Sequence, residues 1–237
     1  MTLDLRALEA GRLGVFGGTF DPVHNGHLHV ARVALQHLEL DHILFVPARQ
    51  SPHKATGATA LGAQRVDMLR LAITSDECLR DSASIWDFEL MQEGPSFTVQ
   101  TLEELSLLRG DPTPKRDSRS LVFLMGSDQF PGLPKWKDVE RVFALAKPCV
   151  VLRGGWESKG DLAALEAELS PELLVDLEGG YLQPNPIRLA ATDLRAEIRR
   201  EAANLGSTSL PDGVAEYIAA EGLYQGEQGS GTVGELP

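Results

Sequence analysis

Cysteine is nearly absent from the 237 residues: there are two, Cys78 and Cys149. Two thiols give no disulfide framework, and Cys149, inside the apolar run 148–152, reads as a buried reduced thiol. Long hydrophobic runs are also missing, since none approaches the ~20 apolar residues that span a bilayer. The opening residues lack the basic-then-apolar pattern of a secretion signal, so a cytoplasmic location and no membrane partner are expected. Positive charge is scarce: 22 Lys and Arg stand against 34 Asp and Glu, a net charge of −12. That removes the broad basic footprint that nucleic acid requires. It leaves room for a small anionic substrate, held by local positive charge and helix N-termini. No internal repeat and no second domain are visible. Hydrophobic content of 43% is ordinary for a soluble globular chain.

The chain is organised around residues 13–28. An apolar run over 13–16 reads as a buried strand, breaks at Gly17-Gly18, and restarts as a helical pattern over 27–38. Strand, tight loop and helix in succession aim backbone N–H groups at an anion. Gly17 and Gly18 clear the backbone for a ligand and tolerate positive φ. Asp21-Pro22 is a turn signal, and Gly26 permits close approach at the helix start. His24 and His27 project to one side of a helical turn. There they can donate to phosphate oxygens and stabilise developing charge. No Gly-Lys-Ser/Thr follows, so this is not a Walker A loop, and the dinucleotide fingerprint is absent too. The pair could instead cap the helix. A metal reading lacks a third ligand.

Further along, 42–47 reads as a second strand, parallel to the first, which puts the loop at the carboxyl ends of the strands. Residues 47–62 form a polar loop carrying Arg49, His53 and Lys54, either over the site or solvated. A helix over 64–75 follows, then 84–90 alternates as a strand with Trp86, Phe88 and Leu90 on one side. Ser96 or Thr98 is placed to cap a helix running to 108. Residues 110–119 read as a variable surface insertion. The buried strand 120–125 leads into Gly126-Ser127-Asp128, and Trp136 follows as either a ring partner or a core cover. A helix over 139–146 and a strand over 149–152 place Arg153 at a strand end, as a phosphate candidate. Residues 161–169 read as an acidic outer helix, 173–177 as a strand and 181–187 as a stiff crossing segment. Thr192 is placed to cap a helix whose first turn holds Arg195. A closing helix ends near Gly222 as its cap, and 225–237 read as a disordered tail after one domain over 1–224.

His24-Asn25-Gly26-His27 resembles the H-x-G-H signature of the nucleotidylyltransferase superfamily. The longer GGTFDPVHNGHL resembles that of bacterial nicotinate-nucleotide adenylyltransferases. The resemblance continues in family order through VP…SPHK, FTVQTL, GSD…LPKW, AATDLR and GLY. It implies a Rossmann-like, doubly wound α/β fold with a parallel sheet and flanking helices. The activity it implies joins ATP and nicotinate mononucleotide into deamido-NAD and pyrophosphate, in NAD biosynthesis. Mg²⁺ would be carried with the ATP.

By the same resemblance His24, His27 and Arg195 are catalytic. Gly17, Gly18, Thr19, Phe20, Gly26, Gly126, Asp128 and Thr192 join them in binding ATP. Lys54, Thr98 and Trp136 bind the second substrate, Thr98 near the nicotinate carboxylate and Trp136 on the pyridine ring, and Arg153 is added to them from its strand-end position alone. Ala190 stands where the family has serine, a loss on the order of 1 kcal/mol if one hydrogen bond is missing. Two rivals stay open: a related transferase acting on phosphopantetheine or nicotinamide mononucleotide, and a non-catalytic nucleotide-binding module. A homo-oligomer is also left open.

Overall fold

The computed structural model describes residues 3–50, 58–114, 120–152, 165, 168–182, 191–200 and 209–225, without the side chains of 128, 130, 131, 193, 197, 199 and 200. A six-stranded parallel sheet forms the centre, in the order β3-β2-β1-β4-β5-β6. Its strands are β1 (Leu13–Gly18), β2 (His42–Pro47), β3 (Ala83–Ile85), β4 (Leu121–Gly126), β5 (Ala146–Val151) and β6 (Tyr181–Leu182). β1 pairs with β2 on one side and β4 on the other, with Val15 opposite Leu44 and Phe123.

Alternation along the strands builds two cores. Phe16, Ile43, Phe45, Val122, Leu124 and Cys149 face one layer. Leu13, Val15, Leu44, Val46, Leu121, Phe123 and Val150 face the other. A sheet buried on both faces reads in sequence as continuous apolar runs, as 13–16, 43–46 and 121–125 do. The first layer is covered by α2 (Asn25–His37), α3 (Gly62–Ser75), α8 (Ala191–Arg200) and α9 (Val214–Ala220). The second is covered by α1 (Leu5–Glu9), α5 (Thr98–Leu108), α6 (Val139–Leu145) and α7 (Pro171–Glu178). A short α4 (Phe88–Met91) lies between β3 and α5, and a 3₁₀ helix (Ser127–Lys135) follows β4. Gly180 is required where β6 begins, because a Cβ there would lie 2.2 Å from the Pro148 carbonyl oxygen. Among the described residues no helix is long and apolar enough to cross a membrane.

Four local expectations are corrected. Residues 84–90 are not one strand: β3 stops at Ile85 and α4 takes over, with Trp86 and Phe88 stacked at 4.6 Å. Glu89, which a strand would turn away from Trp86, Phe88 and Leu90, is buried too. The alternation was too short to separate a strand end from a helical turn. Residues 173–177 are helical, within α7; Ser170-Pro171 is a helix-start signal that outweighed the short apolar run. Neither Ser96 nor Thr98 caps α5; Phe97 holds the cap position and Thr98 opens the helix. Thr192 is likewise inside α8, which begins at Ala191. The acidic-helix reading of 161–169 and the crossing segment after Leu182 lie largely outside the described residues, as does the tail beyond Tyr224 apart from Gln225.

At the opposite strand ends His42 is 2% exposed, with its Nε2 2.8 Å from Ser84 Oγ. Burial pulls its pKa from 6.5 down to about 4, helped by Arg6 and opposed by Asp4. The native state therefore holds His42 neutral where the unfolded chain would protonate it. This contribution is fully present above pH 6.5 and is lost progressively as pH falls toward 4. It is on the order of 3 kcal/mol at most. Urea unfolding at pH 7 and pH 5 checks it: wild type loses more stability across that interval than His42→Gln, which lacks the titrating ring.

Candidate active site

The strand order reverses direction between β1 and β4, and a crevice opens at their carboxyl ends. β1 ends in Gly17-Gly18 and β4 in Gly126. Between them lies a cavity of about 700 Å³. One wall is Gly17, Gly18, Thr19, Phe20, Asp21, His24 and His27, with Thr192 and Arg195 from α8. The other is Gly126, Gln129, Lys135, Trp136 and Lys137, with Glu89, Ser96, Phe97 and Thr98. The size suits a ligand of nucleotide dimensions.

The two histidines share one constrained geometry. His24 holds the cap position of α2 in extended conformation, and His27 is its third residue. The His24 backbone N–H donates to His27 Nδ1 at 3.2 Å. With Nδ1 accepting, a neutral His27 ring carries its proton on Nε2 and can donate from there. The two rings stack at 3.7 Å, and the Phe20 edge meets His27 at 5.0 Å. The residue that makes the cap contact, His27, thus also lines the cavity. The cap interaction fixes a donor beside the cavity, and aromatic contacts restrict its rotation.

The glycines work differently from the expectation. Neither Gly17 nor Gly18 adopts positive φ; Phe20 carries the left-handed backbone instead, at φ 48°. Gly18 is needed for space, because a Cβ there would lie 2.9 Å from Phe20 Cζ. A bulky residue at positive φ is uncommon and needs surrounding packing to hold it. Phe20 has that packing: it is 1% exposed, among Phe16, Phe45 and His27.

Asp21 is buried and gathers four groups. Its Oδ2 accepts from Thr59 N at 2.7 Å and faces Arg195 Nη1 at 3.8 Å. Its Oδ1 accepts from Ala60 N at 3.0 Å and Tyr224 Oη at 2.8 Å. Its own carbonyl accepts from Arg195 Nη1 at 2.6 Å. Arg195 also donates to Thr192 Oγ1 at 3.3 Å, so the two residues read from the sequence do meet at the cavity. Below them Arg65 is 2% exposed, and its Nη1 donates to Thr19 O at 2.6 Å and Ala48 O at 2.8 Å. It ties the loop after β1 to the loop after β2. Burial lowers the Arg65 pKa, and the Asp21 carboxylate offsets part of that.

At the far end Trp136 is half-buried, with its ring edge-on to Phe123 at 5.9 Å. Lys137 Nζ lies 4.9 Å over the Phe97 ring. Thr98 opens α5 beside them. Glu89 Oε1 accepts from Thr101 Oγ1 at 2.6 Å. Burial pushes the Glu89 carboxyl above its ordinary range, while hydrogen bonds from Thr101 and Ser96 pull it back. Ser96 Oγ also accepts from Arg49 N, and Arg49 Nη1 donates to Gln92 O, so Arg49 braces this wall.

The structure therefore brings together His24, His27, Arg195, Thr192, Gly17, Gly18, Thr19, Phe20, Gly126, Thr98 and Trp136. Gly26 is in the first turn of α2 but is not among the cavity-lining residues. Lys54, Arg153, Ala190 and the Asp128 side chain lie outside what is described. Sequence reasoning missed Asp21 as more than a turn residue, and missed Arg65, Glu89 and Lys137. Asp21 and Arg65 could have been found only as charges within otherwise buried patterns. Lys137 directly follows the LPKW stretch, where two lysines flank the tryptophan.

The profile of the cytidylyltransferase-like family matches residues 15–171. A probable nicotinate-nucleotide adenylyltransferase of Chromobacterium violaceum is 38% identical over 226 residues, covering 90% of this chain and 99% of that protein. One of Thermomicrobium roseum is 38% identical over 218 residues, covering 90% and 92%. Among solved structures, the Plasmodium falciparum nicotinic acid mononucleotide adenylyltransferase complexed with NaAD superposes with a TM-score of 0.65 at 17% identity, over 90% of this chain and 97% of that one. At that identity the likeness concerns the fold, and it bears out the doubly wound architecture. The chain belongs to the cytidylyltransferase-like family and, within it, to the nicotinate-nucleotide adenylyltransferases.

Proposed function

We propose that this chain transfers the adenylyl group of ATP to nicotinate mononucleotide, giving deamido-NAD and pyrophosphate. The observation that carries the reading is the constrained His24–His27 pair, facing Arg195 in a cavity whose far wall holds Trp136 and Thr98. One wall thus supplies phosphate donors and the other a flat apolar partner. A dinucleotide product needs both.

In the transfer, a phosphate oxygen of nicotinate mononucleotide attacks the α-phosphorus of ATP. The bond from that phosphorus to the bridging oxygen breaks, and pyrophosphate leaves. No covalent enzyme intermediate is involved. The chain's task is to hold two anions in line and stabilise charge on the transferring and leaving groups. In this reading His27 Nε2–H and the Arg195 guanidinium donate to those oxygens; the Nδ1 contact of His27, the Asp21 carbonyl under Arg195 and the stacking of His24 on His27 support it. On the same reading Gly17, Gly18, Thr19, Phe20, Gly26, Gly126, Asp128 and Thr192 meet ATP, and Ala190 supplies no hydroxyl where the family has serine. Trp136 in this reading stacks on the pyridine ring and Thr98 meets the carboxylate, with Lys54 and Arg153 as further phosphate partners.

Mg²⁺ fits as a cation carried by ATP. Two carboxylates line the cavity among the described residues. Asp21 is engaged by Thr59, Ala60, Tyr224 and Arg195, and Glu89 by Thr101. Phosphate oxygens and water would hold the ion, offsetting the triphosphate charge. A cytoplasmic location agrees with such a biosynthetic role.

Pyrophosphate release with Mg-ATP, offering nicotinate mononucleotide, nicotinamide mononucleotide and phosphopantetheine separately, tests the reading. Turnover should be dominated by the nicotinate substrate, and release with none of the three would favour a binding module. His24→Ala and His27→Ala should each lower kcat by about 10² with KM little changed. Trp136→Ala should instead raise KM for nicotinate mononucleotide by roughly tenfold while leaving KM for ATP near wild type. Steady-state kinetics on the three variants separates these outcomes.

A further inference from the structure

The end of the described chain is bound to the histidine loop at two places. Asn25 N donates to Ser209 O at 2.9 Å, and Asn25 Nδ2 donates to Leu210 O at 3.2 Å. On the other side of the loop, Tyr224 Oη donates to Asp21 Oδ1 at 2.8 Å. Between these attachments lies α9, packed into the first core by Val214 and Ile218. Residues 209–224 therefore grip the turn that carries His24 and His27.

Tyr224 is placed by a built device. α9 ends in paired closing bonds: Leu223 N to Ile218 O at 3.0 Å and Gly222 N to Ala219 O at 3.3 Å, with Gly222 at φ 60°. This pattern is the Schellman closure, and glycine suits its left-handed position. Tyr224 follows, also left-handed at φ 62°, which is unfavourable for an aromatic residue. It is 5% exposed. Burial, and the Asp21 carboxylate beside it, push the hydroxyl pKa far up, so it stays a proton donor. A strained backbone held in place to deliver one hydroxyl to one carboxylate points to a role for that contact.

We propose that Tyr224 is a positioning residue for adenylyl transfer, acting through Asp21 on Arg195. This rests on the adenylyl-transfer reading above. Asp21 balances its donors: Tyr224 and Ala60 hold Oδ1, while Thr59 holds Oδ2 with Arg195 at 3.8 Å, longer than a hydrogen bond. Arg195 is thereby anchored on the Asp21 carbonyl, its ion pair with the carboxylate is held at 3.8 Å, and the residue lines the cavity. Removing the Tyr224 hydroxyl leaves Oδ1 with one donor. The carboxylate can then turn to Arg195, shorten the 3.8 Å ion pair to a direct hydrogen bond and withdraw the guanidinium from the phosphates.

Tyr224→Phe keeps the ring and its packing and removes only the hydroxyl. Its kcat should fall about fivefold to tenfold, with KM for nicotinate mononucleotide within about twofold of wild type. A role confined to stability would lower the unfolding midpoint and leave kcat unchanged, and that result overturns the proposal. In an Arg195→Ala background the same change should have no further effect on kcat; independent, multiplying losses would also overturn it. If the wild type itself releases no pyrophosphate, the reaction assignment fails, and Mg-ATP affinity by calorimetry decides the positioning role. There Tyr224→Phe should weaken binding about threefold or more, and equal affinity counts against it.

Discussion

A buried carboxylate cannot stand alone in a protein interior, and satisfying Asp21 ties distant parts of the chain to one point. Its two oxygens and its carbonyl take donors from residues 59–60, from Arg195 in α8 and from Tyr224 past α9. None of these segments is near another in sequence. The carboxylate makes their convergence specific, since any other arrangement would leave charge and N–H groups unpaired. Arg65 does the same for the facing carbonyls, drawing Thr19 and Ala48 to one guanidinium. The cavity is the space left between segments so fixed.

The sheet decides where that space lies. β1 and β4 are neighbours although β2 and β3 come between them in sequence, and the elements leave them toward opposite faces. α2 runs over the first core and the 3₁₀ helix runs to the second, so the histidines and Trp136 arrive from opposite sides of one crevice. The side chains divide accordingly: His24, His27 and Arg195 on one side, a ring and the start of α5 on the other. In a chain of net charge −12, Arg195, Lys135 and Lys137 bring cations to this one cavity.

The fold was legible because its strongest elements are buried parallel strands, whose apolar runs need no partner to be recognised. The histidine turn, Arg195, Thr192, Thr98 and Trp136 were legible because their motifs are local in sequence. What escaped is what depends on distant contacts. Asp21 looked like a turn residue because its four donors lie outside its own segment, and Tyr224 looked like a chain-end motif for the same reason. Residues 88–91 and 173–177 were misread because a short apolar pattern cannot separate a helix from a strand without its tertiary setting. Phe20 took the left-handed conformation assigned to the glycines because its ring is fixed by Phe16, Phe45 and His27, which no local rule reports.

The dependence on Asp21 is open to one direct measurement: equilibrium urea unfolding of Asp21→Asn beside wild type. The amide keeps an acceptor for Ala60 and Tyr224, but its NH₂ would face Thr59 N and the Arg195 guanidinium, donor against donor. A loss of about 2–4 kcal/mol is expected from leaving those groups unpaired in the interior. Stability within about 0.5 kcal/mol of wild type, the range of an ordinary surface substitution, would contradict the account.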